Sequence, residues 1–144
     1  MKKMKTANGT KTLRKSVKAL PAGVAVLIMC AALAGCRYVS SYKALCLVTS
    51  EHSDSGYMSF SSFEGTKVFT FNVDEDEKID YRIKVTEGSL TLSYDSDGTK
   101  KEVVTAGPGD VIDGSIEKPG DGKVYVIIET DGECSDGKVE FEVN

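Results

Sequence analysis

The chain has 144 residues, 40% hydrophobic and 28% charged, which suits a single folded domain. Its formal net charge of −4 hides an asymmetry: the seven charged residues of positions 1–35 are all basic, whereas from position 36 onward eleven bases face twenty-two acids, a net charge of −11. A body that acidic excludes recognition of a phosphate backbone, so no nucleic-acid partner is expected, and it repels anionic headgroups, so any hold on a membrane has to be covalent.

Residues 1–18 are polar and basic, and residues 19–35 carry no charge. The apolar core from Ala22 to Gly35 counts 14 residues, short of the roughly 20 that a bilayer-spanning helix needs. A basic stretch, a short apolar helix and a small-residue exit describe a secretory signal that is removed after export. A retained transmembrane anchor is the alternative, and the length disfavours it. The exit reads Leu33-Ala34-Gly35-Cys36. An aliphatic residue, two small residues and a cysteine resemble the lipobox of bacterial lipoproteins. The resemblance covers the signal and the cleavage site only. It implies that the Cys36 thiol receives a diacylglyceryl group, that a signal peptidase recognising Leu33, Ala34 and Gly35 cuts before it, and that Cys36 becomes the new N-terminus. Two acyl chains are what stable anchoring requires, since one gives only marginal binding at about 0.8 kcal/mol per methylene. The expected location is the extracytoplasmic face of a cell membrane. Position 37 is Arg, whereas an Asp there often marks inner-membrane retention in Gram-negative families; the type of envelope stays open.

Cys30 leaves with the signal and Cys36 takes the lipid, so Cys46 and Cys134 remain. An export compartment permits a disulfide between them, and only one pairing exists. Two independent thiols, one packed in a core, are the other reading. There is no C-x-x-C and His52 is the only histidine, so no cysteine-based metal site is expected.

Residues 36–55 read as the lipidated N-terminus and a tether, with a possible first strand at Ala44–Val48. Residues 56–144 read as the folded domain. Tyr57–Phe63 and Lys67–Val73 are two expected strands. Ile79, Tyr81, Ile83 and Val85 alternate with Asp80, Arg82 and Lys84; Leu90, Leu92 and Tyr94 alternate with Thr91 and Ser93; Val139, Phe141 and Val143 alternate with Glu140 and Glu142. Period two puts one face in a core and the other in water. Val124–Ile128 is apolar on both faces and reads as a central or covered strand. Lys101–Thr105 and Val111–Ile116 are weaker candidates. Glu87-Gly88, Asp97-Gly98, Asp121-Gly122, Asp131-Gly132 and Asp136-Gly137 are expected turns, as is Gly107-Pro108-Gly109-Asp110. No helix of ten residues is expected after Cys36. The spacing predicts an all-β, jelly-roll-like antiparallel sandwich of about seven to nine short strands. That pattern is similar to small accessory sandwiches of secreted hydrolases, among them carbohydrate-binding and pre-peptidase C-terminal domains.

Little in the sequence points to chemistry, and neither a catalytic residue nor a cofactor is expected. Glu51-His52-Ser53-Asp54 contains the residue types of a triad, but triad members converge in space and adjacent loop residues do not. Asp95-Ser96-Asp97-Gly98 opens like a calcium loop, yet Thr99, Lys100 and Ala106 depart from the ligand pattern, and a turn explains it better. The acids Asp74-Glu75-Asp76-Glu77 suit a solvated hairpin tip that discourages edge pairing. Tyr57, Phe60 and Phe63 are expected in the core. The leading expectation is a non-catalytic envelope module that meets an envelope protein or other ligand. A glycan-binding accessory domain comes second and a small hydrolase third. The glycan reading needs several coplanar exposed rings among Tyr57, Phe60, Phe63, Tyr81, Tyr94 and Tyr125.

Overall fold

Beyond position 56 the apolar–polar alternation becomes strand wherever it is regular. The computed structural model describes residues 38–144; the signal segment and Leu33, Ala34, Gly35 and Cys36 lie outside the described residues. In chain order the strands are β1 Ser41–Leu45, β2 Val48–Glu51, β3 Ser55–Val73, β4 Ile79–Glu87, β5 Leu90–Asp95, β6 Lys101–Ala106, β7 Val111–Ile116, β8 Gly122–Thr130 and β9 Cys134–Val143. All their pairings are antiparallel, and no helix occurs among the described residues.

The sheet runs β6-β5-β8-β3-β9-β4-β7 and folds into two layers. The 19-residue β3 belongs to both. Its first half pairs with β9 from Ser55 to Phe63, and its second half with β8 from Thr66 to Val73. The sequence divides this stretch into two strands; the structure joins them through Gly65. There φ is +129°, and a Cβ would lie 2.7 Å from the Tyr42 Cα where β1 crosses the corner, so only glycine fits.

Alternate residues of the two layers meet in a core of Met58, Phe60, Phe63, Phe69, Phe71, Ile79, Ile83, Leu90, Leu92, Val124, Val126, Ile128, Val139 and Phe141, with smaller residues filling between them. Phe69, Phe71 and Phe141 form a ring cluster with centroids 5.3–6.3 Å apart. Burying each such side chain contributes about 1.5–3 kcal/mol. Val124–Ile128 is central as its composition implies: β8 lies between β5 and β3, and Ile127 is buried on the face opposite Val126 and Ile128.

Several expectations need correction. Residues 38–55 are not a tether, because the folded unit begins at Tyr38. The expected strand Ala44–Val48 is two strands broken at Cys46, whose φ is +51°. Asp136-Gly137 is not a turn but lies inside β9. Asp136 takes φ +48° opposite Ser61, and a Cβ at Gly137 would collide with the Phe60 ring. Cys46 and Cys134 are not bridged. Both are free thiols: Cys46 is exposed at the β1–β2 break, and Cys134 is buried opposite Phe63. The Cys134 Sγ lies 3.2 Å from the Ser89 carbonyl, and burial pushes its thiol pKa up.

Candidate functional site

The outward residues of β4, β7 and β9 follow directly from their alternation, but only the register shows which of them meet. One row across the sheet runs Asp113, Arg82, Glu140 and Tyr57, and the next runs Ser115, Asp80, Glu142 and Ser55. Of these, Asp113, Arg82, Glu140, Ser115, Asp80 and Glu142 line an open groove of about 710 Å³ on the outside of this layer, and Tyr57 and Ser55 continue the two rows beyond it on β3. Tyr81, Gly114 and Phe141 contribute its floor. A Cβ at 114 would collide with the Tyr81 hydroxyl and ring, so the glycine lets that ring lie across β7.

Carboxylates directly opposite each other, such as Asp80 and Glu142, repel, and the groove is built to offset this. The Asp80 carboxylate accepts from the Ser115 hydroxyl and, at 2.7 Å, from the Asn144 amide, with the Lys78 ammonium 3.3 Å away. The Ser115 hydroxyl foremost, then Asn144 and Lys78, hold its pKa below the ordinary carboxylate value against the opposing effect of burial. Arg82 donates to both Asp113 oxygens, at 2.5 and 3.4 Å, and this raises its pKa. Lys138 pairs with Glu140 at 2.9 Å, which raises the lysine pKa, and lies 5.4 Å above the Tyr57 ring. The groove therefore offers fixed acceptors and donors to a polar ligand. It brings no histidine or cysteine beside its single serine hydroxyl, which is committed to Asp80.

The other sequence candidates do not converge. His52 is exposed in the β2–β3 turn; its N–H donates to the Ser55 carbonyl and its ring lies 3.3 Å from the Ser50 hydroxyl. Glu51 points away from it, accepting from the Thr70 N–H at 2.9 Å and pairing with Lys67 at 3.6 Å. Asp95 is buried at the end of β5. Its Oδ1 accepts from the Asp97 and Gly98 N–H groups at 3.1 and 2.7 Å, and its Oδ2 accepts from the Tyr38 hydroxyl at 2.6 Å. That carboxylate organises a turn. The Asp74–Glu77 tip closes on itself through the Glu77 N–H to the Asp74 carbonyl at 3.0 Å. No group of three metal-ligating side chains occurs among the described residues.

Phe60 and Phe63 are in the core, as their alternation implies, while Tyr57, Tyr81, Tyr94 and Tyr125 are half-buried. None of the six stands exposed, so they make no stacking platform. Tyr38 and Tyr42 escaped the sequence reading because the tether expected there hid them. The Tyr38 ring packs at a tilt against Tyr125, centroids 5.4 Å apart, and the Tyr42 ring against Phe63 at 5.2 Å.

No family model and no curated protein matches this chain. Among solved structures it is similar to the carbohydrate-binding module TmCBM61 in complex with β-1,4-galactotriose, at 11% identity and TM-score 0.46, covering 73% of this chain and 87% of that one. It is also similar to Aeromonas hydrophila PliG, a periplasmic inhibitor of g-type lysozyme, at 14% identity and TM-score 0.46, covering 64% and 88%. A family 29 carbohydrate-binding module overlaps at 12% identity and TM-score 0.39, covering 72% of each chain. Overlaps at this level place no ligand on this chain.

Proposed function

We propose that residues 1–35 are a removed export signal, that Cys36 carries the lipid, and that the β-body is a non-catalytic binding module at the extracytoplasmic face of a cell membrane. Leu33-Ala34-Gly35-Cys36, closing an uncharged apolar run, is the observation that carries the anchoring. A body of net charge −11 has little electrostatic affinity of its own for an anionic bilayer. The groove over β4, β7 and β9 supports the binding role: it is open and rich in hydrogen-bonding groups, and the Ser115 hydroxyl is held by the Asp80 carboxylate with no histidine beside it. Replacing Cys36 with Ser tests the anchor. The variant is expected to accumulate as a full-length precursor without acyl mass, measured by intact-mass analysis of the membrane fraction; normal processing of that variant would contradict the assignment.

A hydroxyl-rich glycan held by hydrogen bonds alone, without the platform of exposed rings that the sequence pattern calls for, is the second reading for the groove. It is favoured by the bidentate Arg82–Asp113 pair and the Asp80–Ser115–Asn144 cluster, which present donors and acceptors side by side next to Tyr57. Affinity electrophoresis through gels carrying soluble polysaccharides checks it. Retardation that disappears in Arg82→Ala supports this reading, and no retardation by any polysaccharide removes it.

A further inference from the structure

We infer that the β1–β2 strap, residues 39–48, is the surface that rests on the bilayer, with Val39, Leu45 and Val48 entering its interfacial layer beside Cys36. The inference depends on the lipidation proposed above and adds an orientation to it.

Chain connectivity comes first. Tyr38 is already fixed to the body through its hydroxyl on Asp95 and its ring against Tyr125, and the Ser40 hydroxyl accepts from the Val68 N–H at 2.9 Å. Only Arg37 separates that fixed residue from Cys36. Two residues of extended chain span at most about 7 Å, so the body has no slack with which to stand off from its anchor.

Exposure is the second observation. Five large apolar residues are exposed among those described, and four of them, Val39 at 68%, Tyr42 at 42%, Leu45 at 67% and Val48 at 58%, lie in this ten-residue strap. Exposed apolar residues concentrated in one place mark a contact surface, whereas scattered ones do not.

Charge is the third. All twenty-two acids of the chain lie at or beyond Glu51, and residues 37–50 carry only Arg37 and Lys43. Lys43 lies opposite Glu64 of β3, so the strap is near neutral and lacks the acidic excess by which the remainder of the body repels anionic headgroups. The strap also pairs with β3 on one side only. Its open backbone edge needs water or headgroups as partners, which the interfacial layer supplies and the hydrocarbon does not. The depth is interfacial for that reason.

Cys46 provides a native probe, being exposed and free while Cys134 is buried. A polarity-sensitive fluorophore on Cys46 of the processed, lipidated protein is read in phosphatidylglycerol–phosphatidylethanolamine vesicles containing a shallow nitroxide-labelled lipid. The control places the fluorophore at Asp113→Cys in a Cys46→Ser background, on the strand at the far end of the sheet. Quenching and a blue shift are expected at 46 and not at 113. They should be lost in the Val39→Ser, Leu45→Ser, Val48→Ser triple variant, which still floats with the vesicles on its acyl chains. Quenching at 46 no greater than at 113, in protein that floats, overturns the orientation and leaves lipidation standing. Copy-to-copy crosslinking through Cys46 without quenching assigns the strap to a second copy and also overturns it. Protein that lacks acyl mass and fails to float overturns the anchor itself.

Discussion

At Gly137 and Gly114 a missing methyl group makes room for an aromatic ring on the neighbouring strand. The two sites differ in what surrounds the ring. Phe60, over Gly137, is 5% exposed and held in the core, whereas Tyr81, over Gly114, is half-buried at the margin of the core beside the last strand of the sheet. Gly137→Ala is expected to cost about 1–3 kcal/mol by overpacking, and Gly114→Ala less, because the half-buried Tyr81 ring is less enclosed than Phe60. Urea denaturation of both variants checks the order, and equal losses would contradict it. Asp80 gives a second expectation. Its folded pKa is lowered, by the Ser115 hydroxyl above all, so its contribution to stability is present at pH above the ordinary carboxylate value and disappears as pH falls through the lowered one. Ser115→Ala should raise the Asp80 midpoint in an NMR titration and flatten the acid limb of the stability curve; an unmoved midpoint would show that the hydroxyl is not the cause. Neither effect is legible in the sequence, because Gly114, Ser115 and Gly137 acquire their roles from residues 33 or more positions away.

Strand β3 shows what an element requires beyond its own alternation. Past Thr66 one of its edges has no partner strand, and its N–H groups are met one by one: Val68 by the Ser40 hydroxyl, Thr70 by the Glu51 carboxylate and Asn72 by the Ser53 carbonyl. This arrangement blocks an edge that would otherwise template pairing with another chain. Glu51→Ala should cost about 1 kcal/mol and speed amide exchange at Thr70 relative to Phe69, which faces β8. Unchanged exchange would mean that water already serves that amide. Strands β4, β5 and β9 are legible from period-two patterns because each has a core on one side, and β8 from an apolar run because it is covered on both. The expected strand Ala44–Val48 divides because Cys46 takes φ +51° between the pairing of Leu45 with Ser62 and of Val48 with Ser59, a break that composition does not signal. The Asp136-Gly137 pair carries the composition of a turn, yet it marks an irregularity inside a strand.

Across the whole molecule the acids and the apolar strap occupy different parts of the chain, and the groove lies on the layer ending in β7. The Arg82–Asp113 pair at the groove is 61% exposed on both sides, so it adds little to folding. Arg82→Ala should therefore leave the melting temperature within a few degrees of the parent. Any binding lost with it reports on the groove, and a large fall in melting temperature would show instead that the pair holds β4 to β7. The sequence by itself determined the all-β class, the outward and inward residues of the regular strands, the acidic body and the lipobox-like exit, since each is a local property of composition or period. The tertiary structure alone decided that β3 serves both layers, that the cysteines stay apart, that Tyr38 is docked and that Asp80, Arg82, Asp113 and Glu140 share a groove. Those facts depend on which strands become neighbours, and neighbours up to 87 residues apart in the chain are chosen by how the two layers close over one core.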